Sequence, residues 1–174
     1  CGRRCRCRTY GRGRWRRAQS GGARYKLQRV DVAQCIDSAL RNTDALIRES
    51  GCSVELDVAA ALPAVHADAS ALIHCIGNLL SNAARYGNSG KSITVRARAS
   101  GGDTAGSGYV AIEVEDLGPG IDPRDVPHLF EPFYRGRDIR DRQIQGTGLG
   151  LALVKSIMDG LGGRVEVHTA KGQG

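Results

Sequence analysis

The stretch N-L-L-S-N-A-A-R-Y, residues 78–86, closes a segment with the periodicity of an amphipathic helix. This predicted helix begins after Asp68 and ends near Gly87, with apolar residues at 72, 76, 79, 80 and 83 on one face. Asn78 and Asn82 are four residues apart, so they share an adjacent face. Their carbonyl oxygens are hard ligands that suit Mg²⁺. Two solvated amides on a helix are the simpler interpretation of this stretch when it is taken alone.

A second motif, E-D-L-G-P-G at residues 115–120, follows an alternating strand. The period of two places Asp116 on the same side as the apolar residues 110, 112 and 114. A buried carboxylate is costly unless it is paired, and the exocyclic amine of adenine would pair with it. The glycines that follow would let a flat ring approach closely. The alternative is a turn in which Asp116 accepts hydrogen bonds from neighbouring amides.

Two further motifs flank a polar loop. G-T-G-L-G-L-A-L-V-K, residues 146–155, leads directly into a helix, so its amides form a candidate phosphate site. L-F-E-P-F-Y-R-G, residues 129–136, carries both phenylalanines of the chain and Arg135, a candidate phosphate ligand. The polar stretch from Glu131 to Gln145 is long for a compact domain, which predicts a functional loop such as a lid.

The remaining periodicity defines the fold class. Alternating strands are predicted at 53–58, 93–97, 110–114 and 164–168, with helices at 31–50 and 147–161. Strands that alternate cleanly have one covered and one wet face. We therefore predict a two-layer α/β sandwich, with a mixed, mostly antiparallel sheet and about three helices on one face.

The basic character of the chain is concentrated at its start. Residues 1–30 hold eleven of the 25 basic residues and none of the 18 acidic ones, which leaves 14 basic against 18 acidic residues elsewhere. We predict that residues 1–23 are disordered or artefactual, since arginine, glycine and cysteine dominate when a GC-rich gene is read out of frame. Nucleic-acid binding through this tail, with Tyr10 and Trp15 stacking on bases, is the alternative.

In this order, the four motifs resemble the nucleotide-binding boxes of bacterial sensor histidine kinases, over residues 25–174. The resemblance implies a catalytic domain, here residues 24–174, that binds ATP and Mg²⁺ under a lid and transfers the γ-phosphoryl group to a histidine. It implies Asn78, Asn82 and Arg135 as catalytic residues, with Asn82 as the Mg²⁺ ligand. It implies nucleotide contacts for Asn82, Arg85, Tyr86, Asp116, Gly118, Gly120, Ile121, Phe133, Gly146, Thr147, Gly148, Leu149 and Gly150.

The resemblance also implies partners in two-component signal transduction. The accepting histidine belongs to a dimerisation domain, normally in the same polypeptide, and a response regulator acts downstream. None of the histidines here, at positions 66, 74, 128 and 168, stands in the acceptor pattern of His-Glu, a basic residue and Pro. We therefore expect a catalytic fragment that is inactive without the acceptor domain and lacks its last strand after residue 174. We expect it in the cytoplasm, without a nucleic-acid partner, and leave an inner-membrane anchor of the parent protein open.

The same fold class includes proteins with two other functions. Gyrase-like and chaperone-like ATPases place a glutamate four residues before the magnesium asparagine, where this chain has Asn78, which cannot accept a proton at neutral pH. An anti-sigma-factor-type serine kinase, or a nucleotide-binding regulatory module without kinase activity, is a closer alternative because it also stands as a lone ATP-binding domain.

Overall fold

The structure, a computed structural model, describes residues 25–87, 92–101, 108–136 and 146–169, and the backbone of residues 3–10. Its strands are β1 (Arg3–Tyr10), β2 (Gln28–Val30), β3 (Ser53–Val58), β4 (Val65–Ala67), β5 (Ser92–Ser100), β6 (Tyr109–Asp116) and β7 (Arg164–His168). Its α-helices are α1 (Val32–Glu49), α2 (Ala69–Tyr86) and α3 (Gly150–Gly160), and a short 3-10 helix spans Val126–His128.

Five of the strands form one mixed sheet in the order β3-β5-β6-β1-β7. β3 runs parallel to β5, while β5 and β6, β6 and β1, and β1 and β7 are antiparallel. β2 and β4 form a separate antiparallel pair. The predicted two-layer α/β sandwich with a mixed, mostly antiparallel sheet is confirmed. β2 and β4, three residues each, were not predicted because so short a run carries no measurable period.

The hydrophobic core lies between this sheet and the helices. Val95 of β5 pairs with Val114 of β6, and both side chains are buried together with Ile36, Leu72 and Ile76 of the helices. The other face of β5 and β6 carries charged side chains, including an ion pair between Arg96 and Glu115. The alternation read from the sequence therefore separates an apolar inner face from a charged outer face.

The helix ends follow local capping chemistry. Asp31 accepts hydrogen bonds from the amides of residues 33 and 34, and Asp68 accepts one from Ala71, so each aspartate caps the helix that follows it. α3 begins at Gly150 rather than at Thr147, because Gly148 has a φ of +71° and cannot continue a right-handed helix. Among the described helices, none combines the length and hydropathy needed to cross a membrane.

The prediction that residues 1–23 are disordered is wrong for residues 3–10, and the alternative that residues 1–23 are artefactual stays a prediction. Residues 3–10 form β1, which lies between β6 and β7 in the large sheet. The run R-C-R-C-R at residues 4–8 alternates with a period of two, and the high arginine content hid this signal. Residues 11–24 lie outside the described part of the chain.

Other predictions fall where the structure gives no description. The centre of the predicted lid, residues 137–145, and the loop at 102–107 lie outside the described residues. The same is true of residues 170–174, so the further strand expected after them stays a prediction. The division of the chain near residue 24 also stays a prediction.

Candidate nucleotide-binding site

Most of the residues singled out in the sequence line a single cavity, between the end of α2, the end of β6 and the start of α3. Twelve predicted residues contribute to its wall: Asn78, Asn82, Arg85, Tyr86, Asp116, Gly120, Ile121, Arg135, Gly146, Thr147, Gly148 and Gly150. The first motif ends at residue 86 and the last begins at residue 146, yet the fold brings all four motifs to one place. The fold therefore places them where they could act together on one ligand.

The two asparagines face the start of α3. The Asn78 side-chain amide donates to the His74 carbonyl oxygen at 2.9 Å, one turn earlier in α2. A Cβ placed on Gly150 would lie 3.3 Å from Asn78 Oδ1 and 3.6 Å from both Asn82 side-chain oxygen and nitrogen. The amide oxygens of α2 and the first backbone amides of α3 thus meet across a narrow space.

The N-terminus of α3 has the properties of an anion site. Its N-cap is Leu149, a residue without a capping side chain, so the N-cap makes no side-chain hydrogen bond to the first amides of the helix. The first amides of a helix have no intrahelical partner, and together with the helix dipole they favour a negative charge at this end. With Asn78 and Asn82 opposite, the arrangement fits a phosphate group and its bound cation.

Asp116 lies beside Gly87 at the end of α2, nine residues or about 13 Å along the helix from Asn78, which contacts the start of α3. Its side chain is only 7% exposed, and its Oδ1 accepts a hydrogen bond from the Gly118 amide at 2.9 Å. The turn that the sequence offered as an alternative is therefore present. It also orients the carboxylate, which still lines the cavity. Gly87, at the end of α2, packs closely enough that an added Cβ would lie 3.3 Å from Asp116 Cβ and 2.3 Å from the Ala83 carbonyl oxygen.

The two ends of the polar loop are held together at the cavity. The Phe133 amide donates to the Gly148 carbonyl oxygen at 3.0 Å. A Cβ on Gly148 would lie 2.7 Å from the Phe133 carbonyl carbon and 2.8 Å from the Tyr134 carbonyl oxygen. Phe133 itself has a φ of +66°, a conformation that L-residues rarely adopt. The turn at 131–134 and the glycines at 146–150 therefore form one closely packed base for the loop.

Three of the predicted nucleotide-binding residues lie outside the cavity wall. The Gly118 amide is used by Asp116, and Gly118 is buried. Phe133 is 73% exposed and has a positive φ, and Leu149 is 40% exposed beside the start of α3. Nothing in the described part of the chain places these three residues against a ligand in the cavity.

The cavity also has residues that sequence reasoning missed. Asp125 is buried, lines the cavity, and accepts a hydrogen bond from the Tyr134 hydroxyl at 2.7 Å. Their separation of nine residues in an irregular segment gives no periodic signal. Val114 and Val167 also line the cavity. Val114 could have been predicted, since it lies two residues before Asp116 on the same face of β6.

The donor set fits magnesium held partly by phosphate rather than a metal held by protein alone. Among the described residues there is no group of three or more His, Cys, Asp or Glu side chains that could hold a metal ion. Magnesium usually retains waters and takes one or two protein oxygens plus phosphate oxygens. The amide oxygens of Asn78 and Asn82, beside an anion site, meet that requirement.

Residues 67–174 match the family of histidine kinase-, DNA gyrase B- and HSP90-like ATPases. This match covers more than half of the chain, and the chain belongs to this family. Within it, the chain is similar to sensor histidine kinases. It is 31% identical to the mycobacterial sensor histidine kinase MprB, with a TM-score of 0.63, over 78% of this chain and 80% of that one.

Two other similarities agree with this assignment. The chain is 34% identical to drug sensory protein A of Synechocystis, over 77% of this chain and 21% of that protein. It is 26% identical to full-length ShkA, whose structure was determined in complex with AMPPNP, with a TM-score of 0.70 over 88% of this chain and 30% of ShkA. The chain spans only 12% to 34% of the length of the curated relatives that it matches.

Proposed function

We propose that this chain is the ATP-binding catalytic domain of a sensor histidine kinase in a two-component system. In this proposal it transfers the γ-phosphoryl group of ATP to a histidine on a separate dimerisation domain, which then passes it to a response regulator. The observation that carries the proposal is the cavity in which Asn78, Asn82 and the start of α3 face one another, with buried Asp116 at the other end. Because ATP is a cytoplasmic substrate, the domain would work in the cytoplasm.

The two ends of the cavity suit the two ends of ATP. The Asp116 carboxylate would accept a hydrogen bond from the exocyclic amine of adenine, while the Gly118 amide fixes its orientation. The phosphates would lie at the start of α3, where the helix dipole and the exposed amides favour anions. Arg85 and Arg135 line the same cavity and would neutralise phosphate charge. Tyr86, whose hydroxyl lies 2.9 Å from a Cβ placed on Gly146, would limit the space beside the nucleotide.

Magnesium would be held by Asn82, with Asn78 beside it, and by phosphate oxygens. When bound, the ion neutralises charge on the phosphates and orients the transferred group. Asn78 has its amide nitrogen tied to the His74 carbonyl, so its oxygen is directed toward the start of α3. The pair of asparagines therefore positions the metal without adding a negative charge that would repel the phosphates.

The acid–base chemistry of the cavity favours phosphoryl transfer over hydrolysis. A hydrolase needs a group that accepts a proton from water, and the amide of Asn78 cannot do so at neutral pH. Phosphoryl transfer relies on positioning and charge neutralisation instead, which this site supplies.

An exposed apolar patch beside the phosphate end of the cavity would receive the dimerisation domain. It consists of Phe133, Leu149 and Leu153, which are 73%, 40% and 46% exposed. The Leu153 amide donates to the Leu149 carbonyl, so these leucines lie one turn apart, and Phe133 is hydrogen-bonded to the adjacent Gly148. An acceptor histidine must approach from this end, so the patch is placed to hold its domain in line.

Incubation of the purified chain with Mg²⁺ and γ-labelled ATP tests this proposal. We expect the chain to bind the nucleotide, to remain unlabelled, and to release no more inorganic phosphate than a buffer control. An ATPase would release phosphate at many turnovers per chain, and a serine kinase acting on itself would become labelled with an acid-stable phosphate. Either result would contradict the assignment.

The docking patch is tested separately by phosphoryl transfer to a dimerisation domain supplied in trans. Leu153→Ser should reduce the rate of transfer about tenfold while leaving nucleotide affinity unchanged, since losing a central apolar anchor commonly costs 1 kcal/mol or more. Leu56→Ser is the matched control, because Leu56 is a comparably exposed leucine (57% against 46% for Leu153) that lies outside the patch, on the edge strand β3. Equal rates for the two variants would exclude the patch.

A further inference from the structure

The segment of residues 121–125, which precedes the short 3-10 helix, is fixed at the cavity wall by hydrogen bonds at both of its ends. The Ile121 amide donates to the Thr169 hydroxyl at 2.9 Å, which attaches the segment to the end of β7. The Asp125 amide donates to the Asp122 carbonyl oxygen at 2.8 Å, which closes a turn. All three residues of this segment that are named here line the cavity.

Tyr134 connects this segment to the base of the polar loop. Its backbone belongs to the loop base, where the neighbouring Phe133 amide donates to the Gly148 carbonyl oxygen at 3.0 Å and a Cβ on Gly148 would lie 2.8 Å from the Tyr134 carbonyl oxygen. Its hydroxyl donates to Asp125 Oδ1 at 2.7 Å. One side chain therefore links two parts of the cavity wall that are nine residues apart in sequence.

The orientation of Tyr134 is set by two contacts. The first is the hydrogen bond to Asp125, a carboxylate that is only 4% exposed and whose burial would be costly without a donor. The second is the His128 imidazole, whose ring centre lies 5.2 Å from that of Tyr134. His128 is itself held by Glu131, since its Nδ1 lies 2.8 Å from Glu131 Oε1. The tyrosine ring is thus held at its hydroxyl and at its face.

We propose that Asp125 is a positioning residue for the phosphates of the nucleotide, and that it acts through the Tyr134 hydroxyl on the loop base that carries Arg135 and contacts Gly148. A carboxylate repels phosphate, so Asp125 would serve the site by holding the tyrosine and not as a ligand. The nucleotide readout below rests on the function proposed above, whereas the backbone readout does not.

This hydrogen bond is connected to the start of α3 more directly than to Asp116. Tyr134 packs against Gly148, which lies two residues before the first residue of α3. The Asp116 carboxylate is instead oriented by the Gly118 amide, a contact that does not involve Tyr134. Losing the tyrosine hydroxyl should therefore weaken binding of the phosphates of ATP and leave binding of adenine unchanged.

Tyr134→Phe is the sharpest variant, because it removes the hydroxyl and keeps the ring that contacts His128. ATP and AMP are each titrated against a bound fluorescent ATP analogue. We expect the affinity for ATP to fall about tenfold and that for AMP to change less than about twofold. Tyr109→Phe is the matched control, since it removes a hydroxyl at the far end of β6, outside the cavity wall, and should change neither affinity. An unchanged affinity for ATP, or equal losses for ATP and AMP, would overturn the proposal.

Variants of Asp125 test whether the two residues act through one bond. Asp125→Asn keeps an acceptor for the Tyr134 hydroxyl, so its affinity for ATP should stay within about threefold of the wild type, whereas Asp125→Ala should match Tyr134→Phe. The double variant should bind ATP no more weakly than Asp125→Ala alone. Additive losses, or equal losses for asparagine and alanine, would contradict the pairing. If Asp125→Ala does not fold, Tyr134→Phe and Asp125→Asn still decide.

Hydrogen–deuterium exchange without nucleotide provides the backbone readout. In Tyr134→Phe, amides of the turn at 131–134 should exchange about tenfold faster, while those of α1 should be unchanged. If exchange responds in this way but no version of the chain binds nucleotide, the pairing stands and the proposed function fails. If the full chain binds ATP but exchange at 131–134 is the same in Tyr134→Phe, the function stands and the positioning role of Asp125 is overturned.

Discussion

Replacing Asp116 by asparagine should separate nucleotide affinity from stability. The carboxylate is 7% exposed, and an asparagine oxygen can still accept the Gly118 hydrogen bond, so the turn is retained. What is lost is a charged acceptor for the adenine amine. A hydrogen bond to a charged group contributes about 1.5–3 kcal/mol, so affinity should fall roughly 10- to 150-fold.

The matched control lies one residue earlier. Glu115 is 8% exposed on the outer face of the same strand, where it forms an ion pair with Arg96. Glu115→Gln should therefore lower the thermal midpoint and leave nucleotide affinity unchanged. Titration with a fluorescent ATP analogue and thermal melting of both variants measure the two effects. Unchanged affinity in Asp116→Asn would mean that Asp116 serves only the turn, and the adenine assignment would be refuted.

Three further predictions follow from single contacts. Asn82→Ala should lose most of the gain in nucleotide affinity that Mg²⁺ provides, whereas the control Asn42→Ala on α1 should keep this gain. Calorimetry with and without Mg²⁺ measures the gain for both variants, and equal gains would contradict the assignment of Asn82 to the metal. Gly51→Ala should lower the free energy of unfolding by about 1 kcal/mol, since Gly51 has a φ of +68° with open space around it. Gly148 has a similar φ, but an added Cβ would also clash with Phe133. Gly148→Ala should therefore cost at least twice as much in denaturant titrations and should also weaken nucleotide binding. Asp68→Ala should destabilise the fold by about 1 kcal/mol through loss of the α2 cap. The hydrogen bond from the Ala71 amide lowers the pKa of Asp68, so this stabilisation is present above the ordinary pKa near 4 and is lost as pH falls through the lower folded-state pKa. Asp68→Asn keeps an acceptor but does not titrate, so it should lose less stability below pH 4 than the wild type. Parallel profiles of stability against pH for the two proteins would contradict the role of Asp68 as a cap.

The sequence was sufficient for elements with a long and regular pattern. The ends of α1 and α2 were predicted within about one residue, because Asp31 and Asp68 give strong N-cap signals. The face of Asp116 could be read from the period of two in β6. These features depend on local chemistry that a single segment carries by itself.

The missed features depend on contacts between distant segments. β1 pairs with strands that follow it by about 100 residues or more, and no local signal identifies those partners. Leu56 alternates like a half-buried strand residue but is mostly exposed, because β3 is the edge strand. Phe133 and Leu149 stand within the predicted nucleotide-binding motifs, yet both side chains are exposed. Position in a motif did not determine the direction of these side chains.

Phosphoryl transfer to a dimerisation domain tests the central claim most directly. The full chain is fused behind the dimerisation domain of MprB, a relative with which it shares 31% identity, and incubated with Mg²⁺ and γ-labelled ATP. We expect an acid-labile label on the acceptor histidine of the fused domain, which disappears when that histidine is replaced and falls at least tenfold with Asp116→Asn. An unlabelled acceptor histidine in a fusion that binds ATP, or a label that is unchanged by Asp116→Asn, would contradict the central claim.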